Sequence, residues 1–196
     1  MKTTYIVSGF MRTGTSMMMK ALEAGGLEAV YREERDELVK KFGDEEYSPN
    51  SGGLYELSRE DYKSPDFPRQ FEGKLMKALD VAVPRMRVMP DLKVVFMMRD
   101  KEEIRQSLYA FFGREIMHPH FETRFEDHMK DVIEQINNRK DVSSLQVFWY
   151  RDVVENPKKH FQLLKDNGWP IDVDKCSAIV DPEQLRFRKE RLSIGV

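Results

Sequence analysis

Thr4-Tyr5-Ile6-Val7-Ser8-Gly9-Phe10-Met11-Arg12-Thr13-Gly14-Thr15-Ser16 decides how this chain of 196 residues is read. Tyr5 to Val7 is a short apolar run of the kind that makes a buried strand. From Thr15 onward, Met17-Met18-Met19 and Ala21-Leu22 lead into a helix. That helix ends before Gly25-Gly26, where glycine can take the left-handed C-terminal position. Between strand and helix, Gly9 and Gly14 stand in the G-x-x-x-x-G spacing of a phosphate-cradling loop. Backbone N–H groups there can converge on an anion, and the helix adds its positive end. A nucleoside triphosphatase places lysine after the second glycine; here Thr15 stands there, and the cation is Arg12, inside the loop. The plain alternative is a glycine-bearing turn with Arg12 exposed, but the strand–loop–helix context favours an anion site. Arg12, Thr13, Thr15 and Ser16 offer one cation and several neutral donors. That set suits a terminal group less charged than a γ-phosphate and transferred without a metal, such as a sulfonyl group.

Outward from this loop, Val94 to Met98 and Leu145 to Trp149 read as two further buried parallel strands. Leu75 to Leu79 is a fourth candidate, weakened by Lys74 and Lys77. Helices are expected after Asp100, with Ile104, Leu108, Phe111 and Phe112 on one face, and over Phe121 to Ile136. Another is punctuated by Asn156 as N-cap, Pro157 in the first turn, Gly168 at the end and Pro170 beyond. Residues 44–53 read as a loop. The alternation predicts an α/β fold with a central parallel sheet flanked by helices. No stretch reads as a linker, so a single domain over 1–196 is expected. A net charge of −2 provides no global basic field for nucleic acid or an anionic membrane. No apolar run approaches the ~20 residues of a membrane helix, and the first residues read as strand rather than signal peptide, so a cytoplasmic protein is expected. The only cysteine, Cys176, excludes an internal disulfide and a Cys-rich metal site, and reads as a small buried residue.

A second segment carries chemistry. The strand Val94 to Met98 is followed by Arg99-Asp100, and eight residues after Arg99 comes Ser107, two turns into the next helix. A guanidinium and a hydroxyl so placed can share one phosphate. Taken singly, Arg99 could pair with a carboxylate and Ser107 could be a small packing residue.

SGFMRTGTS, Ser8 to Ser16, resembles the 5′-phosphosulfate loop of the sulfotransferase superfamily, usually G-x-P-[RK]-S-G-T-[TS]; Met11 replaces its proline and Thr13 its serine. Arg99 and Ser107 resemble the family's 3′-phosphate motif at the same spacing. Tyr150 matches a tyrosine that approaches the adenine, with Arg151 in place of the usual acid. Arg186, Arg188, Lys189 and Arg191 are similar to a basic tail that closes over the 3′-phosphate, with Arg188 as its candidate. Asn50 to Glu56 and Met17 to Gly26 resemble a bacterial branch of small sulfotransferases. The resemblance implies a P-loop-like architecture and 3′-phosphoadenosine 5′-phosphosulfate as co-substrate. A hydroxyl or amine on a small-molecule or carbohydrate acceptor would receive the sulfonyl group. Arg12, Thr13, Gly14, Thr15, Ser16, Arg99, Ser107, Tyr150 and Arg188 would bind nucleotide, and no metal would be needed.

For catalysis the resemblance implies Arg12 as the cation on the leaving nucleotide, with Lys77 assisting from its strand. The cytosolic enzymes' catalytic histidine, two residues after that lysine, is Leu79 here. Glu56 is then the first candidate base, with Asp80, His118 and His120 as other ionisable candidates. His118 and His120 flank Pro119 without metal-ligand spacing, and His128 and His160 are expected at helix surfaces. Two other readings stay open: an atypical P-loop small-molecule kinase, and a nucleotide-binding protein without transferase activity.

Overall fold

The computed structural model describes residues 2–30, 59–115 and 119–184. Four strands form one parallel sheet: β1 (Thr4–Gly9), β2 (Leu75–Leu79), β3 (Leu92–Met98) and β4 (Val142–Trp149), in the order β2-β1-β3-β4. The register sets Val7 beside Lys77 on one side and Val95 on the other. The first strand is therefore central, and its carboxyl end opens between two neighbours. In parallel α/β sheets such a position is where ligands bind.

Strand alternation sends side chains to two faces, each with its own core. Tyr5, Val7, Leu75, Val95 and Met97 pack with α1 (Thr15–Ala24), α6 (Tyr150–Glu155), α7 (Pro157–Asp166) and α8 (Val173–Ala178), through Met18, Leu22, Val153, Phe161 and Cys176. Ile6, Met76, Val94 and Phe96 face the other way, toward α2 (Arg59–Lys63), α3 (Phe67–Gln70), α4 (Lys101–Phe112) and α5 (Pro119–Asn137). There Ile104 and Leu108 of α4 meet Phe125, Met129, Val132 and Ile136 of α5. Burying a side chain of this size stabilises the fold by about 1.5–3 kcal/mol, so apolar stripes at helical spacing suffice to dock each helix.

The strands expected from sequence are present, with Leu75–Leu79 a full member despite its lysines. One expectation is corrected: the last strand is not buried. It forms the sheet edge, with Val147 39% and Trp149 49% exposed, because no fifth strand among the described residues covers it. The 44–53 segment lies outside the described residues. The helix punctuation holds in part: α7 begins at Pro157 after Asn156, whose side chain makes no capping bond. By contrast, Asp100 caps α4 outright, accepting from the N–H of Glu102 (2.9 Å) and of Glu103 (3.3 Å). No helix among the described residues is long and apolar enough to cross a membrane.

Candidate functional site

The loop between β1 and α1 is shaped by its own backbone. Arg12 has φ 67°, and Gly14, the N-cap of α1, has φ 95°, both in the left-handed region. The Thr13 hydroxyl donates to the Phe10 carbonyl at 2.7 Å, closing the turn on itself, so its proton serves the loop. Gly14 is required by close approach as well as by φ, since a Cβ there would come within 2.3 Å of the Tyr150 ring. At Gly9 a Cβ would meet the Met97 carbonyl oxygen at 2.5 Å. The first turn of α1 holds no acidic residue and no side-chain cap. Its amides and positive end face the loop, as anion binding requires.

Arg12 does not extend away from the protein. Its Nε donates to Ser107 Oγ at 2.8 Å, and its guanidinium lies 5.2 Å from the Phe111 ring centroid, both on α4. Arg99, at the end of β3, donates from Nη1 to the Arg12 carbonyl at 3.1 Å and from Nε to Glu103 Oε2 at 3.0 Å. Its guanidinium also stacks 4.6 Å from the Tyr150 centroid. The other oxygen of Glu103 accepts from Arg151 at 2.5 Å. Arg12, Arg99, Ser107 and Tyr150, which are far apart in sequence, thus meet around one loop. Arg99 and Glu103 are almost wholly buried. Each charge is balanced by a partner, which such burial demands.

On the other side of the loop, the Asp80 N–H donates to the Gly9 carbonyl at 3.1 Å. The Asp80 side chain is buried, and its Oδ2 lies 2.8 Å from His128 Nε2 on α5. Burial pushes the Asp80 carboxyl above its ordinary value, and the hydrogen bond and charge of His128 pull it part of the way back. The expectation that His128 is a helix-surface residue is therefore corrected. Its position on the margin of the α5 stripe, three residues after Phe125, brings it down onto the sheet end. His160 is likewise half-buried, edge-on to Phe148 and donating from Nδ1 to the Asn156 carbonyl.

Lys77 is buried on β2, beside Val7 on the α1 face. Glu56, Arg188 and His118 lie outside the described residues, as do Arg186, Lys189 and Arg191. His120 falls in the first turn of α5, and its side chain is outside the description. Sequence reasoning did not find Glu103 or the Asp80–His128 pair. Glu103 stands four residues from Arg99, a spacing that signals a pair only when both residues share a helix, and Arg99 precedes the cap. No spacing could connect Asp80 to a residue 48 positions away.

No family model matches the sequence, and no curated protein matches it. Solved structures do resemble the fold. A sulfotransferase from Mycobacterium tuberculosis superposes with a TM-score of 0.50 at 12% identity, over 92% of this chain and 71% of that one. The two share an architecture. The sulfotransferase domain of a Synechococcus olefin synthase aligns at TM-score 0.46 and 13% identity, covering 95% of this chain and 83% of that one. A sugar kinase from Janibacter aligns at TM-score 0.40 and 12% identity, covering 92% and 98%. At 12% identity the Mycobacterium likeness shows the fold alone, and the chemistry has to be argued from side chains.

Proposed function

We propose that this protein is a sulfotransferase, moving a sulfonyl group from 3′-phosphoadenosine 5′-phosphosulfate to a hydroxyl or amine on a small-molecule or carbohydrate acceptor. The observation that carries this reading is the Arg12–Ser107 hydrogen bond, together with the bond from Arg99 to the Arg12 carbonyl. Together these bonds tie the loop suited to a 5′-phosphosulfate to the strand–helix segment suited to a 3′-phosphate. The fit is chemical as well as spatial. Gly14 leaves room for the Tyr150 ring to pack directly against the loop, and the α1 amides that follow it carry no side-chain cap.

On this reading the amides of Gly14, Thr15 and Ser16 and the Arg12 guanidinium hold the 5′ side, and Arg99 with Ser107 holds the 3′-phosphate. Tyr150 buttresses the loop, and Arg188 closes over the nucleotide as the resemblance implies. When bound, the donor supplies an activated sulfonyl group. Arg12 opposes charge developing on the oxygen that leaves. Lys77 and Glu56 keep the assisting and base roles the resemblance gives them. The kinase alternative needs a lysine after Gly14 to hold the phosphates, and Thr15 stands there.

Calorimetry tests the reading directly. Without added metal, 3′-phosphoadenosine 5′-phosphate should bind at least ten-fold more tightly than 5′-AMP, because a second phosphate gains charge-assisted bonds. Equal affinities would sink the assignment of Arg99 and Ser107, and preference for ATP with Mg²⁺ would favour a kinase.

A further inference from the structure

A third cation stands beside Arg12 and Arg99 at the carboxyl end of the sheet. The last paired residues of β3 and β4 are Met98 and Trp149, so Arg99 and the Tyr150-Arg151 turn leave the sheet side by side. Tyr150 fixes that turn in two places. Its ring packs against Gly14 of the loop, and the Arg99 guanidinium stacks 4.6 Å from its centroid. Arg151 then meets Arg99 through one carboxylate. Glu103 accepts from Arg99 Nε on Oε2 at 3.0 Å and from Arg151 Nη2 on Oε1 at 2.5 Å, so the two guanidinium groups are neighbours. Their charges do not cancel within this trio. Arg99 and Glu103 are almost wholly buried and neutralise each other, which leaves Arg151 with one positive charge beyond what the carboxylate balances. Arg151 also lies in the first turn of α6, where the backbone amides already present positive partial charge. Donors for an anion remain on both side chains. Arg99 commits Nε and Nη1, and Arg151 commits Nη2 alone, so Arg99 Nη2 and Arg151 Nε and Nη1 have no hydrogen-bond partner among the described residues. The Arg151 side chain is 27% exposed against 7% for Arg99, so a ligand arriving from solvent reaches Arg151 first.

We propose that Arg151 is a further ligand of the nucleotide's 3′-phosphate, shared with Arg99 and Ser107, and that it sets the preference for a 3′-phosphorylated nucleotide. This rests on the sulfotransferase reading above, which gives that phosphate to Arg99 and Ser107. A phosphomonoester carries about −1.5 to −2 charges at pH 7 and three acceptor oxygens. Arg99 offers it a donor from a buried guanidinium held on three sides by Glu103, the Arg12 carbonyl and the Tyr150 ring. Arg151 offers a second donor and the charge that Glu103 leaves unbalanced. Glu103 touches no phosphate and is a positioning residue: it orients both guanidinium groups while cancelling only one of their charges. A nucleotide lacking the 3′-phosphate gains nothing from either cation, so the discrimination between the two nucleotides resides in this pair.

Calorimetry on the full chain tests this with two probes, 3′-phosphoadenosine 5′-phosphate and 5′-AMP, on the wild type, Arg151→Gln and Arg151→Lys. Arg151→Gln should lose roughly ten-fold or more in affinity for the bisphosphate, the loss of one charge-assisted bond, while its 5′-AMP affinity stays within about two-fold of wild type. Arg151→Lys should fall between the two, because the charge is kept and the planar donor geometry is lost. Added salt should narrow the gap between wild type and Arg151→Gln for the bisphosphate, since part of the interaction is screened. Glu103 keeps Arg99 as its partner in both variants, so urea unfolding midpoints should show them folded at the temperature of the titrations. The ratio of the two affinities is the decisive readout, because a merely structural role would weaken both nucleotides alike. A wild type that binds bisphosphate and 5′-AMP equally would end the underlying reading, and this assignment with it. A wild type that discriminates, beside an Arg151→Gln variant that discriminates equally well, would overturn Arg151 as a ligand and leave that reading standing. Equal loss of both nucleotides in Arg151→Gln would overturn it too.

Discussion

Arg12 sits at φ 67°, where a Cβ is costly by about 1–2 kcal/mol, yet an arginine occupies the position. A side chain kept in spite of backbone strain points to work done by the guanidinium. Two substitutions separate the parts. Arg12→Gly should be more stable than Arg12→Ala by roughly 1 kcal/mol in urea unfolding, since glycine removes the strain. Both should slow transfer by about 10²–10³-fold, the loss expected for one preorganised donor. Gly14 gives the opposite case. Gly14→Ala forces a methyl into the Tyr150 ring at a left-handed φ, and should cost about 1–3 kcal/mol and weaken nucleotide affinity. A Tyr150→Ala background should relieve part of that cost, measurable as coupling in a double-mutant cycle. Asp80 also carries a price in stability. Its folded carboxyl is raised above the ordinary 3.8, so the fold favours its protonated form. That contribution is full below pH 3.8 and is lost as pH rises through the higher folded value. Asp80→Asn should therefore be at least as stable as the wild type at pH 7, with the difference vanishing in acid. A clear loss of stability at pH 7 would contradict this.

At the scale of the element, α4 does most to assemble the site. Asp100 starts it, Glu103 accepts from Arg99 and Arg151, Ser107 receives Arg12, and Phe111 lies under the Arg12 guanidinium. Three of these residues, Glu103, Ser107 and Phe111, recur at intervals of four and share one face of the helix. The opposite requirement, Ile104 and Leu108 toward the core, fixes how the helix is rotated. Glu103→Ala would leave two guanidinium groups facing one another without their carboxylate, Arg99 almost wholly buried. The expected loss is about 3–5 kcal/mol in denaturant unfolding, with Glu103→Gln milder because the amide keeps an acceptor. An unchanged midpoint in Glu103→Ala would show that the network contributes nothing to stability.

Across the whole molecule, the two sheet faces are held by separate cores, and Cys176 reports on one of them. It is buried on α8 against α1, and burial pushes its thiol up to about 11. A thiol so placed should not react with Ellman's reagent in the native protein, and should do so only as the α1–α8 contact opens. Rapid native reaction would contradict that packing. Much of this architecture was legible in the sequence, because strands with apolar runs, helices with apolar stripes and a loop with two spaced glycines are local patterns. Tyr5–Val7, Leu75–Leu79 and the Thr15 helix start could be read for that reason. Arg12, Arg99 and Ser107 could be named from motif spacing and Tyr150 from resemblance, but not their geometry around one loop. The exposed edge of β4, the clamp of Glu103 on two arginines and the meeting of Asp80 with His128 depend on strand order and helix rotation. The reason is physical. Periodicity and turn chemistry act over a few residues, whereas contacts between distant residues exist only once burial of both sheet faces has fixed which elements are neighbours.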